Sequence, residues 1–453
     1  SVLADGPHLD LEVNLREVPG RLVLGSGREV SLRVADYAHY FRQVMRRFEA
    51  HVDKRGDAAT YPDPCEKCAQ CRWDPLCKAR RVQDDHLSLV ANITRQQIRK
   101  LNAQGIRTLA QLGRLAPDPA VTRMEPAILH KLRAQAALQL RARTDGGRHW
   151  DRIAKDPDDA APRGFERMPQ PDPGDMFFDM EGDPLEEGGL EYLFGLYVID
   201  DGQERFVPFW AHNRSEEKQA FEAFIDFVVA RLHRHPEAHI YHYAPYEATA
   251  IKRLMSVHAT REAEVDNLLR MNKLVDLYQV VREGVRVSEP GYSIKNIEHF
   301  YLPQREGGVT NAGASIVYYE RWKRTGEAQL LQDIADYNRD DVLSTYKLRD
   351  WLCALRPDGM PWANRRDAQE AIDPARFQVG EKTQAELRLD PYRAALLGPL
   401  PADEADWSGR DRYRALVYQL LDFHRREQKP EWWAMFARMQ ATEAELVEDN
   451  ECL

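Results

Sequence analysis

Apolar positions along this chain fall into two rhythms. Short, nearly continuous runs predict strands at 176–180, 192–200, 205–210 and 239–243, and Leu274-Val275-Asp276-Leu277 reads as a further short run. A three-to-four-residue spacing predicts helices over 215–233, 246–255, 261–270, 293–299 and 329–353. Three strands in a meander followed by alternating helices and strands describe an α/β unit built on a mixed sheet. Upstream, strand-like runs occupy 9–15 and 21–34, the second turning at Gly25-Ser26-Gly27, before an amphipathic helix over 36–51. Residues 84–144 keep a helical period throughout. There Gly105 is placed to end one helix and Thr108 to cap the next. Residues 145–175, rich in Asp, Pro and Gly and without apolar period, read as a linker, and the C-terminal stretch adds helices at 411–426 and 430–447.

The expected division is therefore a segment with a cysteine cluster (1–83), a helical segment (84–144), a linker (145–175), the α/β domain (176–356) and a helical extension (357–453). A chain of 453 residues is long enough for several cores. It begins Ser1-Val2 and is read as a segment of something longer. Lys and Arg number 63 against 73 Asp and Glu, a net charge of -10 that argues against a protein that merely coats nucleic acid. No apolar run approaches the roughly 18–20 residues of a membrane span, and no secretory signal is visible, so a cytoplasmic location is expected. No phosphate-cradling Gly-x-x-x-x-Gly-Lys-Ser/Thr occurs, so no ATPase is expected within these residues.

Two acidic motifs carry the chemistry. In Phe177-Phe178-Asp179-Met180-Glu181-Gly182-Asp183 the carboxylates of Asp179 and Glu181 are one residue apart on a strand and share a face. In Asp336-Tyr337-Asn338-Arg339-Asp340-Asp341 the phenol of Tyr337 and the carboxylate of Asp341 are one helical turn apart. Like charges held together call for hard divalent cations, Mg2+ or Mn2+, and two such ions about 4 Å apart activate water and neutralise a phosphodiester under attack. Asp179 is the expected shared ligand, Asp341 closes the site, and Tyr337 orients the water. Asp336 and Asp340 are read as surface residues and Asp183 as a loop acid.

These residues resemble the DEDD-type 3'-5' exonucleases, including the DnaQ-like and YprB-like ribonuclease H-like domains. The resemblance matches Asp179 and Glu181 to the family's first motif and Tyr337 and Asp341 to its last. Its middle motif ends in Asp, and Ile240-Tyr241-His242-Tyr243-Ala244-Pro245-Tyr246-Glu247 offers Glu247 there, one methylene longer. Asp276 falls where the family often has a supporting acid. The resemblance implies catalytic residues Asp179, Glu181, Glu247, Tyr337 and Asp341, the four acids holding metal, and an exonuclease acting on single-stranded DNA in repair or processing. RNA cleavage by the same carboxylates and a non-catalytic nucleic-acid-binding scaffold are the alternatives.

Four of the six cysteines, Cys65, Cys68, Cys71 and Cys77, lie within thirteen residues, a spacing that reads as a metal site, zinc or iron-sulfur. With the flanking Tyr61-Pro62-Asp63-Pro64 and Asp84-Asp85-His86-Leu87, the stretch resembles the end of RecB-like nuclease domains that carry a 4Fe-4S cluster. That resemblance makes Cys68, Cys71 and Cys77 ligands, with Cys65 the candidate fourth, and Zn2+ the alternative occupant. An Asp...Glu-x-Lys motif is not found before Cys65, so a truncated or inactive first nuclease is expected. From Lys78 to Arg148, 14 Lys and Arg face 5 Asp and Glu, and Gly105-Ile106-Arg107-Thr108 resembles a helix-hairpin-helix turn, so DNA contact is expected there. Residues 1–360 as a whole resemble RecB-like nucleases often continued by a superfamily 1 helicase, and 423–433 resembles the lead-in to that helicase, the implied fused or separate partner.

Overall fold

The computed structural model describes residues 19–23, 28–55, 61–65, 67–68, 71–116, 121–303, 312–363, 384–401, 406–421, 423–424 and 435. The chain divides into two compact units, Ser1–Arg80 and Arg81–Leu453.

In the first unit β1 (Pro19–Val23) and β2 (Glu29–Arg33) form an antiparallel hairpin, with Pro19 opposite Arg33 and Val23 opposite Glu29. Val30 and Leu32 alternate with Glu29, Ser31 and Arg33, the period of a half-covered strand. Helix α1 (Val34–Arg55) follows directly, and the chain leaves the unit within α2 (Asp74–Gln83). The strand expected at 9–15 and the turn at 25–27 lie outside the described residues.

The second unit opens with α3 (Arg95–Ala103), α4 (Leu109–Gly113) and α5 (Pro126–Asp145). Thr94 and Thr108 both cap, and in each case the glutamine three residues on, Gln97 or Gln111, bonds back to the cap residue's backbone. Leu87, Leu101, Leu109, Leu112 and Leu129 bury together beneath them. The stretch 145–175, expected to be a linker, is packed: it carries β3 (Trp150–Arg152) and a short 3-10 turn, and it buries Phe165 and Met168.

The central sheet is built from β4 (Met176–Asp183), β5 (Leu190–Asp200), β6 (Gln203–Trp210), then, after α6 (Arg214–Arg234), β7 (Ile240–His242) and, after α7 (Tyr246–His258) and α8 (Glu262–Arg270), β8 (Leu274–Asp276). Its order is β6-β5-β4-β7-β8: the first three strands are antiparallel neighbours, while β7 runs parallel to β4 and β8 parallel to β7. Helix α9 (Leu277–Gly284) and β9 (Val285–Val287) follow, β9 pairing antiparallel with β3. Gln135 of α5 donates to Val287 O at 2.9 Å and accepts from Tyr292 Oη at 2.9 Å, which ties the helical segment to this domain. The short α10 (Ile294–Ile297), α11 (Ala312–Thr325) and the long α12 (Ala328–Leu355) complete it. Helix α11 was not anticipated from the apolar spacing. Beyond, within the expected helical extension, lie α13 (Gln384–Leu396), with Pro391 inside it, and α14 (Gly409–Leu420). The helix expected at 430–447 and the stretch 423–433 lie outside the described residues, apart from 423–424 and 435.

Strand alternation decides which face does what. Met176, Phe178 and Met180 turn to α6 and α7, packing on Phe221, Phe224, Ile225 and Leu254. Phe177 turns the other way, toward α12 and α9, where Val342, Leu348, Val280 and Val281 bury. Residues 179 and 181 follow 177 onto that second face.

Candidate metal centre

At the end of β4 the face that buries Phe177 changes from apolar to acidic. Asp179, Glu181 and, from α12, Asp341 each bring a carboxylate oxygen within 4.8 Å of the others, the only such group of three His, Cys, Asp or Glu among the described residues. Glu181 and Asp341 are buried and Asp179 is half-buried. Tyr337, one turn before Asp341, is buried beside them. Glu247 sits in the first turn of α7, buried, and is close enough to Asp179 to raise that acid's proton affinity. The Asp179 carboxyl thus has Glu181 and Asp341 as neighbours and Glu247 as a further one.

The electrostatics follow from crowding. Burial, then the carboxylates of Asp341, Glu247 and Glu181, push the Asp179 carboxyl well above the usual carboxylate range. Burial, with Asp341, pushes Glu181 up to about 8, against Ser315, Lys295 and Asn338, which hold it down. Burial and the same carboxylates keep the Tyr337 phenol protonated far beyond its ordinary range. The Lys295 ammonium bonds Asp341 and lies 4.6 Å from the centre of the Tyr337 ring.

The donor set suits a hard divalent cation. All the convergent groups offer oxygen. Glu247 Oε2 is buried with no hydrogen bond and faces the His242 ring at 3.5 Å, an ion pair when that ring is protonated. Asp179, Glu181 and Asp341 can hold a divalent ion, with Glu247 a further carboxylate beside them.

The remaining acids named in the sequence have other duties. Asp276 Oδ1 accepts from Ala244 N and Tyr278 N, both at 2.9 Å, and so pins the turn from β7 into α7 on which Glu247 stands. Ala244 holds a positive φ of 78° in that turn. Asp183 accepts from Leu185 N and pairs with Lys323 at 2.9 Å, and Asp336 pairs with Arg339 on the surface of α12. Sequence reasoning missed Lys295, Ser315 and Asn338. Asn338 stood within the last acidic motif, but neither Lys295 nor Ser315 stood in any motif.

The cysteines, by contrast, do not converge as one set. Cys65 and Cys68 bring their sulfurs to 3.9 Å, and Cys65 N donates to Cys68 Sγ at 3.2 Å. Successive backbone bonds Cys68 N to Cys65 O and Cys71 N to Cys68 O wind the segment into tight turns, yet no group of three cysteines closes within 4.8 Å. None of the four forms a disulfide.

Among the described residues no helix is long and apolar enough to cross a membrane. Residues 176–353 match a family model described as the RNase_H superfamily, so this span is a ribonuclease H-like domain. No curated protein and no solved structure matches the chain. Domain type and acidic triad together fit a metal-dependent nuclease.

Proposed function

We propose that the protein is a two-metal, DEDD-type 3'-5' exonuclease that removes nucleotides from single-stranded DNA in repair or processing. One observation carries this reading: four acids from three elements, Asp179, Glu181, Glu247 and Asp341, are gathered around Asp179 with Lys295 the cation bonded among them. Such a cluster is costly without added positive charge. Mg2+ or Mn2+, held by these four carboxylates, would polarise the phosphodiester and lower the pKa of water.

The chain's own groups divide the remaining work. Asp179, shared between Glu181 and Asp341 on one hand and Glu247 on the other, fixes the spacing of the acids. Tyr337 keeps its proton at neutral pH and so serves to orient the attacking water as a hydrogen-bonding group, not as a base. Exposed Arg99, Arg107, Arg114 and Arg123 on the helical segment offer side-chain contacts to phosphate. The turn amides there are otherwise engaged, since Arg107 N and Thr108 N both donate to Gln111 Oε1.

We also assign a thiolate metal to the cysteine segment, a 4Fe-4S cluster with Zn2+ as the alternative, and a helicase, fused or separate, as partner. A sulfur separation of 3.9 Å between Cys65 and Cys68 is close to the edge of a tetrahedral zinc-thiolate site, about 3.8 Å for bonds of about 2.3 Å. A broad band near roughly 400 nm in anaerobically purified protein separates iron-sulfur from zinc. For the nuclease, the test is Mn2+-dependent release of mononucleotides from end-labelled DNA and RNA oligonucleotides of one sequence. Loss in Asp179→Ala and Asp341→Ala with retention in Cys71→Ser supports the reading. Undiminished release in both acid variants sinks it.

A further inference from the structure

Asn338 of α12 lies between Tyr337 and Asp341 in sequence and is wholly buried. Its Nδ2 donates to Asp179 Oδ2 at 2.7 Å. It also lies near enough to Glu181, the other carboxylate of β4, to hold that acid's proton affinity down. A primary amide carries two N–H donors on one nitrogen, so one side chain can serve both acids.

The opposite end of the same amide tells which way it must face. Asn338 Oδ1 is buried without a hydrogen-bond partner, a cost the fold accepts. The reversed amide would aim that oxygen at the Asp179 carboxylate, which is worse. Room for the orphaned oxygen comes from β5. Gly195 stands directly opposite Asp179 in the β4–β5 register, and a Cβ there would fall 1.7 Å from Asn338 Oδ1. Any other residue at 195 would drive Asn338 off the carboxylates. Gly195 itself needs no positive φ, so close approach is the reason for glycine at this position.

We infer that Asn338 is a positioning residue that fixes the Asp179 and Glu181 carboxylates in the rotamers needed to hold a divalent cation, with Gly195 vacating the space it needs. The inference rests on the nuclease reading above. It goes beyond that reading by making the ligand geometry depend on a wholly buried neutral amide. The lysine at 295 does not replace it on Asp179, because its ammonium is bonded to Asp341.

The test measures Mn2+ affinity by electron paramagnetic resonance on the full chain, alongside kcat and KM on a single-stranded oligonucleotide. Asn338→Ser removes reach without adding bulk; Asn338→Leu removes both donors at similar size. Outer-sphere partners of metal ligands are typically worth 10–100-fold in affinity or activity, and a loss of that order is expected in both variants. KM for the oligonucleotide should stay within about twofold of wild type while kcat falls. Gly195→Ala, which leaves the amide in place but displaces it, should weaken Mn2+ in the same direction. Wild-type Mn2+ affinity and kcat in folded Asn338→Ser or Gly195→Ala protein overturn the inference and leave the nuclease reading standing. A wild-type chain that takes up no Mn2+ overturns both.

Discussion

The Lys295 ammonium is bonded to the Asp341 carboxylate while lying over the ring of Tyr337, one turn earlier on the same helix. A single cation thus serves as counter-ion to the last acid of the cluster and braces the phenol beside it. Replacing it with an apolar side chain of similar length takes a positive charge away from a buried carboxylate. Lys295→Met should lower the stability of the metal-free protein by about 1–3 kcal/mol. Because the ammonium and a dication compete for Asp341, the variant should also gain more thermal stability from saturating Mn2+ than wild type does. Equal Mn2+-induced shifts in melting temperature would refute the competition.

Asp179 is the residue with most to gain from neutralisation. Its carboxyl is crowded by three others, so Asp179→Asn should abolish Mn2+-dependent hydrolysis yet raise metal-free stability by about 0.5–2 kcal/mol. Denaturant unfolding of wild type and variant in chelator checks the sign. A destabilised variant would mean that the carboxylate is held by attraction and not merely tolerated.

Glu247 reaches Asp179 from the first turn of α7, and its extra methylene belongs to that reach. Glu247→Asp, although it restores the acid found in the exonuclease motif, should therefore reduce kcat by about tenfold or more, since small misplacements in such sites are costly. An unchanged or faster enzyme would show that the longer arm is incidental.

Proton linkage fixes the pH dependence of the metal-free chain. Glu181 titrates at about 8 in the fold against an ordinary carboxylate value near 4.5, so between those values the folded state binds more protons than the unfolded one. Its contribution to stability is complete below about pH 4.5 and is lost as pH rises toward 8. Asp179, raised by the same causes, acts in the same direction. The melting temperature of wild type in chelator should fall from pH 5 to 8 more steeply than that of Glu181→Gln. Mn2+ affinity should rise over the same interval, because the ligands must shed protons to bind. Parallel stability curves would count against a raised Glu181.

Asp276 supports the site at one remove. Its carboxylate bonds Ala244 N, in a backbone conformation that costs a non-glycine residue roughly 1–2 kcal/mol. Ala244→Gly should leave stability unchanged or raise it slightly. Asp276→Ala should destabilise the turn and lower kcat through Glu247, and Asp276→Asn, which keeps an acceptor, should recover most of both. Full activity in Asp276→Ala would remove the acid from the account.

The sequence by itself determined whatever depends on local period. Alternation along one strand puts Asp179 and Glu181 on one face, the helical turn puts Tyr337 beside Asp341, and the succession of runs predicts a mixed sheet with a meander first. Tertiary structure decided which side chains from different elements meet. That Glu247 of α7 comes up beside Asp179, that Lys295 caps Asp341, and that Asn338 fits against Gly195 depend on how helices cross the sheet, information no short stretch of sequence contains. The same limit explains the segment at 145–175, whose Pro- and Gly-rich composition concealed a strand that pairs with residues 285–287. It also explains the cysteines, where close spacing along the chain brought two sulfurs together but did not bring four. Periodicity fixes the direction a side chain leaves the backbone; what waits there is set by the path of the rest of the chain.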